Sequence, residues 1–330
     1  MTVTAAWWRP LPNGQAACDL CPIRCRLREG RTGPCGTRAN RGGRMVPLQY
    51  GRVVSAAVDP IEKKPLYHFH PGRPILSVAA PGCNLHCAFC QNWSISQQHA
   101  APTRPLAPAE AVALALREGS VGIAYTYSEP LVWYEFVRDT ARLVRAAGLV
   151  NVVVTNGFLC TEPLAELLPL IDAANIDLKS MDDGFYRKVC KARLAPVLAA
   201  IRQAHAAGVH VELTNLLIPG HNDAPGQVDR LVDFVADLDP DIPLHFSAYH
   251  PAWKLDAPAT PQATLERAFA QAGRRLRHVY LGNTAGALGR DTLCPRCGAV
   301  AVERRGFAAR VLLKAGACAG CGARPPLVGV

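Results

Sequence analysis

From residue 75 onward, short apolar runs alternate with amphipathic stretches, and this alternation restricts the possible folds more than any other feature. The runs are Ile75–Ala80, Val121–Tyr127, Asn151–Thr155, Ala174–Leu178, Val209–Ile218 and Leu244–Ala248, with a seventh candidate at His278–Leu281. Continuous apolar runs of this length suit strands buried on both faces, hence a parallel sheet covered by helices. The intervening stretches supply those helices. Val228, Leu231, Val232, Val235 and Leu238 recur at helical spacing. Further helices are expected over 108–118, 131–147, 162–170, 195–207 and 262–273. Six or seven units fall short of the eight in a complete barrel. The expected fold is therefore α/β, a partial (β/α)6 TIM-like barrel. A doubly wound sheet is the alternative, because alternation fits both. In either fold, chemistry collects where strands end and loops begin.

The thirteen cysteines are grouped rather than scattered. Cys83, Cys87 and Cys90 lie in Gly82-Cys-Asn-Leu-His-Cys-Ala-Phe-Cys-Gln-Asn92, directly after the first apolar run. Three thiolates this close can each hold one iron of a [4Fe–4S] cluster, leaving the fourth iron open to a small molecule. The alternative is a structural zinc site that borrows a distant fourth ligand. Cys18, Cys21, Cys25 and Cys35 form a second group, interleaved with glycine and proline. Four thiols give a closed site, for which zinc and a second iron–sulfur cluster both fit the spacing. Cys294, Cys297, Cys318 and Cys321 form two C-x2-C-G knuckles, the pattern of a zinc ribbon. Fewer than about 40 residues cannot build a core without such a staple. The basic hairpin between the knuckles, Glu303 to Arg310, offers contacts to an acidic partner. Cys160 and Cys190 belong to no group.

These groups divide the chain into an N-terminal four-Cys module (1–45), a connecting segment (46–74), the barrel (75–285) and the ribbon (286–330). The connecting segment starts as a strand, Gly51–Val58, and then becomes too polar and proline-broken for a regular element. Its Glu62, Lys63, Lys64, Tyr67 and His68 make it a candidate wall of the active site.

Polar residues recur at the ends of the apolar runs. They are Tyr125-Thr-Tyr-Ser-Glu-Pro130, Thr155-Asn-Gly-Phe158, Asn175-Ile-Asp-Leu-Lys179, then Glu212, Thr214 and Asn215 with Pro219-Gly-His-Asn-Asp223, and Phe246-Ser-Ala-Tyr-His-Pro251. A single such residue is an ordinary cap or turn. Their recurrence at nearly every strand end calls for a polar ligand.

Composition sets the outer bounds. A chain of 330 residues suits one large domain with small appendages, and 49% hydrophobic residues are ample for a core. No apolar run reaches the ~18 residues of a membrane span, and no signal-peptide core follows Met1, so a cytoplasmic chain is expected. Clustered cysteines in that compartment point to metals rather than disulfides. The net charge of +10 favours anionic partners such as nucleic acid, phosphates or acidic proteins.

At Cys18-x2-Cys21-Pro22-x2-Cys25, Asp59-Pro-Ile-Glu-Lys-Lys-Pro-Leu66, Gly82-Cys-Asn-Leu85, Cys90-Gln-Asn-Trp93, Tyr125–Pro130, Val154–Gly157, Asp177–Lys179 and Ile218–Asp223, the sequence resembles the AmmeMemoRadiSam-system radical S-adenosylmethionine (SAM) enzymes. These are similar to pyruvate formate-lyase activases. The resemblance implies that Cys83, Cys87 and Cys90 are catalytic cluster ligands. It implies that SAM binds the open iron, that the cluster cleaves SAM reductively to a 5′-deoxyadenosyl radical, and that this radical abstracts hydrogen from a substrate. Thr126, Tyr127, Ser128 and Glu129 occupy the place of the superfamily's Gly-Gly-Glu motif, with Tyr127 and Ser128 replacing the glycines. Asp177 and Lys179 match the activases' Asp-x-Lys, Asn156 the third strand end, and His250 a histidine near the nucleoside. Thr214 stands where activases carry an arginine, so that contact does not transfer. Phe89, Asn92, Thr214 and Asn215 complete the candidate cofactor contacts. The resemblance further implies an electron donor such as flavodoxin or ferredoxin, and Memo-like and Amme-domain proteins as partners. A protein glycine, a small molecule or RNA are the substrate classes considered. A non-catalytic adaptor stapled by zinc at every cysteine group is the contrasting expectation.

Overall fold

Seven parallel strands lie side by side in sequence order, and one antiparallel strand extends the sheet at its first edge. The computed structural model describes residues 3–98 and 101–330. The strands are β1 (Ser55–Pro60), β2 (Pro74–Ala79), β3 (Gly122–Tyr125), β4 (Val150–Thr155), β5 (Ala173–Asp177), β6 (His210–Leu217), β7 (Leu244–Ala248) and β8 (Val279–Gly282). The spatial order runs β8 to β1 without reversal. A doubly wound sheet turns back at a switch point, so that alternative is excluded. The sheet is wound in one direction, with β1 and β8 at its two edges.

The crossover helices fall close to their expected positions: α1 (Pro108–Arg117), α2 (Tyr134–Ala146), α3 (Thr161–Leu167), α4 (Leu194–Ala206), α5 (Pro225–Leu238) and α6 (Gln262–Ala272). In α5, Val228, Leu231, Val232 and Val235 form the buried stripe that their spacing demands.

The connecting segment differs from expectation. Its strand runs on to Pro60, pairs along its whole length with β2, and continues into a 3-10 turn at Ile61–Lys63. The acidic and basic residues that argue against an ordered element satisfy one another instead. Asp59 accepts from Lys63 Nζ and Lys64 Nζ, each at 2.8 Å.

Small antiparallel sheets lie apart from the eight-stranded sheet. Trp8–Pro10, Ala16–Cys18 and Arg26–Leu27 form one, beside a hairpin of Arg38–Arg41 and Arg44–Pro47. Thr292–Leu293, Val300–Arg305 and Ala308–Val311 form the other. Arg304 does not face a partner as the basic hairpin promised. It is fully buried, donates to the Tyr67 carbonyl at 2.7 Å and to Thr292 Oγ1 at 2.8 Å, and lies 4.0 Å over the Tyr67 ring. Arg305 and Arg310 remain exposed and pair with Glu303. Arg304 therefore docks the C-terminal module onto the connecting segment at Glu62 and Tyr67.

Candidate active site

A cleft of about 320 Å³ opens at the C-terminal ends of the parallel strands. The loop after β2 supplies Cys83, Cys87, Phe89, Cys90 and Asn92. The loop after β3 supplies Thr126 to Glu129. Asn156 follows β4, Asp177 ends β5, Lys179 follows it, and Thr214 comes from β6. These are most of the residues that the sequence nominates, gathered from separate strand ends because each run ends in its polar residues.

Asn215 and His250 are not part of this wall. Along β6 successive side chains alternate sides. Thr214 reaches the cleft, and Asn215 turns away to donate to the Leu178 carbonyl at 2.7 Å. His250 is exposed beyond the end of β7, where Ser247 lines the cleft in its place. Glu212 also leaves the strand-end set. It sits near the start of β6, at the opposite end of the sheet, where it accepts from His245 and His210. Asn222 serves the backbone: it accepts from the Ile218 amide and donates to the carbonyls of Leu216 and Lys179. Of the connecting segment's candidates, Lys63 reaches the cleft, and Glu62, Lys64 and His68 are buried outside its lining.

The cysteine loop is held from several sides. The amides of His86 and Ala88 donate to the carbonyls of Cys190 and Val189, at 2.9 and 3.0 Å. Asn84, fully buried, donates to the Phe158 carbonyl at 2.6 Å and accepts from Asn156 at 3.0 Å. Asn156 Nδ2 also approaches Cys83 Sγ at 3.5 Å, and Ser96 Oγ lies 3.2 Å from Cys90 Sγ. A hydrogen bond from the Cys190 thiol is the main influence lowering the Cys87 pKa, against burial. Burial pushes Cys83 and Cys90 up, with the Glu129 carboxylate adding to the effect at Cys83. Cys190 and Ser96 carry no sequence signal, since each is a lone residue brought in by tertiary structure.

Tyr127 adopts the left-handed backbone that favours glycine, with φ of +67°. A non-glycine residue there costs on the order of 1 kcal/mol or more. Its side chain offsets this: the hydroxyl bonds Asp59 and lies 3.2 Å from Lys64 Nζ, which sits 4.3 Å over the ring. The connecting segment is thereby fastened to the cleft wall. Burial lowers the Lys64 pKa to about 8. Asn92 secures the same turn by donating to the Tyr127 carbonyl at 2.8 Å.

Glu129 is buried and saturated. It accepts from the Leu131 amide (2.9 Å), Thr155 Oγ1 (2.6 Å) and the Asn156 amide (2.8 Å). Burial raises its carboxyl to about 7 despite those donors. Its work is to tie the β3 loop to the end of β4. Asp177 and Lys179 pair at 2.9 Å within the cleft. Burial opposes the charge on Lys179, but the Asp177 carboxylate and nearby thiols overcome it and hold the ammonium well above its ordinary pKa.

The donor set suits an iron–sulfur cluster. One ion on several thiolates draws their sulfurs to about 3.8 Å from one another. The thiols of Cys83, Cys87 and Cys90 are not gathered within 4.8 Å, as separate irons of one cluster require. The C-terminal thiols are gathered. Cys294–Cys321 and Cys297–Cys318 stand at 3.6 Å, and all four lie within 4.8 Å of one another.

A model of the radical SAM superfamily matches residues 77–234. An uncharacterised protein of Methanocaldococcus jannaschii is 45% identical over 313 residues, 93% of each chain. The chain belongs to the radical SAM superfamily. Among activating enzymes of the superfamily, the benzylsuccinate synthase activating enzyme of Thauera aromatica is 27% identical over 191 residues, 56% of this chain and 57% of that one. The pyruvate formate-lyase 1-activating enzyme of Escherichia coli is 24% identical over 163 residues, 48% of this chain and 66% of that one. A radical SAM methyltransferase from Sphaerobacter thermophilus shares the fold, with a TM-score of 0.53 at 19% identity over 70% of this chain and 71% of that one. The superfamily match begins after the N-terminal cysteines and ends before the C-terminal ones. Among the described residues, no helix is long and apolar enough to cross a membrane.

Proposed function

We propose that this radical SAM protein holds a [4Fe–4S] cluster on Cys83, Cys87 and Cys90 and cleaves SAM reductively to initiate hydrogen abstraction from a substrate. The observation that carries this is the shared cleft, with three spread thiols on one wall and Asp177, Lys179 and Asn156 on the facing strand ends. A cluster held by Cys83, Cys87 and Cys90 would supply one electron to the SAM sulfonium, so that the sulfur–C5′ bond would break to release methionine and leave a 5′-deoxyadenosyl radical able to take a hydrogen atom from substrate carbon.

The chain's own residues bind and orient. Asp177 accepts from the SAM ammonium, and Lys179 pairs with its carboxylate. Thr214 leaves the β6 contact to a neutral hydroxyl. The backbone turn at Thr126–Ser128, held in its left-handed form by Tyr127 and Asn92, sets the depth of the wall. Buried Phe89 adds an apolar face to the cleft wall, which would limit water at the reacting carbon.

The substrate is proposed to be a protein, as for the activating enzymes that this chain resembles. Memo-like and Amme-domain proteins are the proposed partners, with a flavodoxin or ferredoxin as electron donor. The C-terminal cysteines, at the spacing of a tetrahedral site, hold zinc in this reading. Anaerobic incubation of the reconstituted protein with SAM and dithionite tests the proposal. Methionine and 5′-deoxyadenosine are expected. A colourless protein that holds zinc alone and forms neither product would sink it. Deuterium transfer from a labelled partner protein into 5′-deoxyadenosine identifies the substrate.

A further inference from the structure

The N-terminal module holds a second pocket, closed and lined by Cys18, Cys21, Cys25 and Cys35 together with Leu20 and Val132. Its thiols face one another, yet they are not gathered as the C-terminal four are. Among the described residues, no three of them fall within 4.8 Å of one another. Both sites have four cysteines, so ligand number does not separate them; spread does. A single tetrahedral ion places thiolates about 3.8 Å apart. A cubane places each thiolate on its own iron and keeps them apart by the width of the cluster.

Arg38 supplies a second observation. It is buried at 1% exposure, lines the same pocket, and brings Nη1 to 3.9 Å from Cys18 Sγ. Its Nε has no partner, and its charge is met by Glu135. Donors to cluster sulfurs are among the features that set a cluster's potential. The pocket also touches the catalytic loop directly. The Cys35 carbonyl accepts from the Cys83 amide at 3.1 Å, and a Cβ on Gly82 would fall 2.4 Å from that same oxygen. The last ligand of one site and the first of the other are thus joined by covalent bonds and a single hydrogen bond.

We propose that the N-terminal four-Cys pocket holds a fully ligated [4Fe–4S] cluster rather than zinc, and that it relays single electrons to the cluster on the Cys83 loop. In each transfer the N-terminal cluster is oxidised by one electron and the Cys83-bound cluster is reduced by one. An external low-potential one-electron carrier protein restores the first. No bond breaks in the relay. The cluster assignment is independent of the SAM reading, and only the relay rests on it.

The full-length chain carrying Cys83→Ala, Cys87→Ala and Cys90→Ala together is reconstituted anaerobically. It should retain about four irons and four sulfides per chain and give an S = 1/2 signal on reduction, while forming no 5′-deoxyadenosine. A variant that is colourless and carries zinc in place of iron overturns the assignment. Should that variant fail to fold, the unmodified protein decides the question. It should contain about twice the iron of one cubane, and SAM should change the spectrum of half of it. Iron for one cluster alone, all of it responsive to SAM, overturns the proposal. In the triple variant, Arg38→Lys preserves a cation for Glu135 but withdraws the guanidinium from Cys18, and should move the midpoint potential to a more negative value. For the relay, the reduced unmodified protein should show spin–spin broadening absent from the triple variant. Two non-interacting signals overturn the relay.

Discussion

The C-terminal cysteines and the Cys83 loop use the same thiol chemistry in opposite surroundings. At the C-terminus four sulfurs converge within 4.8 Å of one another, at the edge of a small antiparallel sheet. On the loop three sulfurs are spread, and the space beyond them is a cleft with an ion pair and Asn156 on its far side. A complete ligand set spends its affinity on folding, roughly 10–16 kcal/mol for structural zinc. An incomplete set leaves a metal position for chemistry and must be held in place by the fold instead. Accordingly the loop has Cys190, Val189, Phe158 and Asn156 holding its backbone and side chains. The C-terminal module has its four converging thiols and the Arg304 dock.

That contrast breaks if removing a loop cysteine unfolds the protein, or if removing a ribbon cysteine silences the chemistry at its source. The largest expected effect is on the loop. Cys87→Ala should reduce SAM cleavage below detection, more than ~10³-fold or about 4 kcal/mol in the barrier. The melting temperature should change by no more than a few degrees. A melt collapsing in step with activity would make the loop structural.

The second effect lies in the ribbon. Cys297→Ser, or a strong chelator, should melt residues 286–330, because the segment has too small a core to stand alone. Limited proteolysis should then cut after residue 286, with the loop iron still in place. Loss of loop iron at the same rate would show that the two sites are one cooperative unit.

The third, smaller effect grades the cleft. Asp177→Asn removes the partner of Lys179 and the acceptor proposed for the SAM ammonium. The Kd for SAM should rise at least ~10-fold, about 1.4 kcal/mol. Equilibrium binding to the reconstituted protein measures it, and an unchanged Kd would remove Asp177 from the SAM contacts.

The parts of this design legible in the sequence are those with local periodicity or spacing. The strands and helices follow from apolar runs and a helical repeat, and the cysteine groups from their intervals. The rest depends on which distant residue fills a space. Cys190 looks like any buried cysteine until the π-helix Tyr186–Cys190 carries it to Cys87. Arg304 reads as part of a solvated basic hairpin, although its guanidinium is buried against Tyr67 with Glu62 3.7 Å away. Asn215 neighbours a residue that does face the cleft, and the pleat turns it away. The end of β1 at Asp59–Pro60 and the turn after it are hidden by their own charges, which pair only once the turn at Ile61–Lys63 brings the lysines back over Asp59.

The smallest effect concerns how the ribbon is attached. At the end of the sheet opposite the cleft, His68 bonds the Tyr280 hydroxyl at 2.6 Å and the Pro326 carbonyl at 3.0 Å, joining β8 to the C-terminal tail. The Val328 amide adds a bond to the His68 carbonyl at 2.8 Å. Burial lowers the His68 pKa to about 3, and burial also lowers that of His278, whose ring stacks edge-on at 4.4 Å. The unfolded chain, with histidines near 6.5, binds these protons first as pH falls. The stability that His68 contributes is therefore complete above pH 6.5 and is lost progressively from 6.5 towards 3. The slope approaches about 1.4 kcal/mol per pH unit for each such group. His68→Gln should lower stability near pH 7.5 by about 1–2 kcal/mol through the lost hydrogen bonds. It should also flatten the acid limb by up to one proton, so that the variant and the unmodified protein converge as pH falls towards 5. Urea unfolding midpoints across that range measure both terms, and parallel limbs would show that His68 is not the group whose protonation loosens the ribbon.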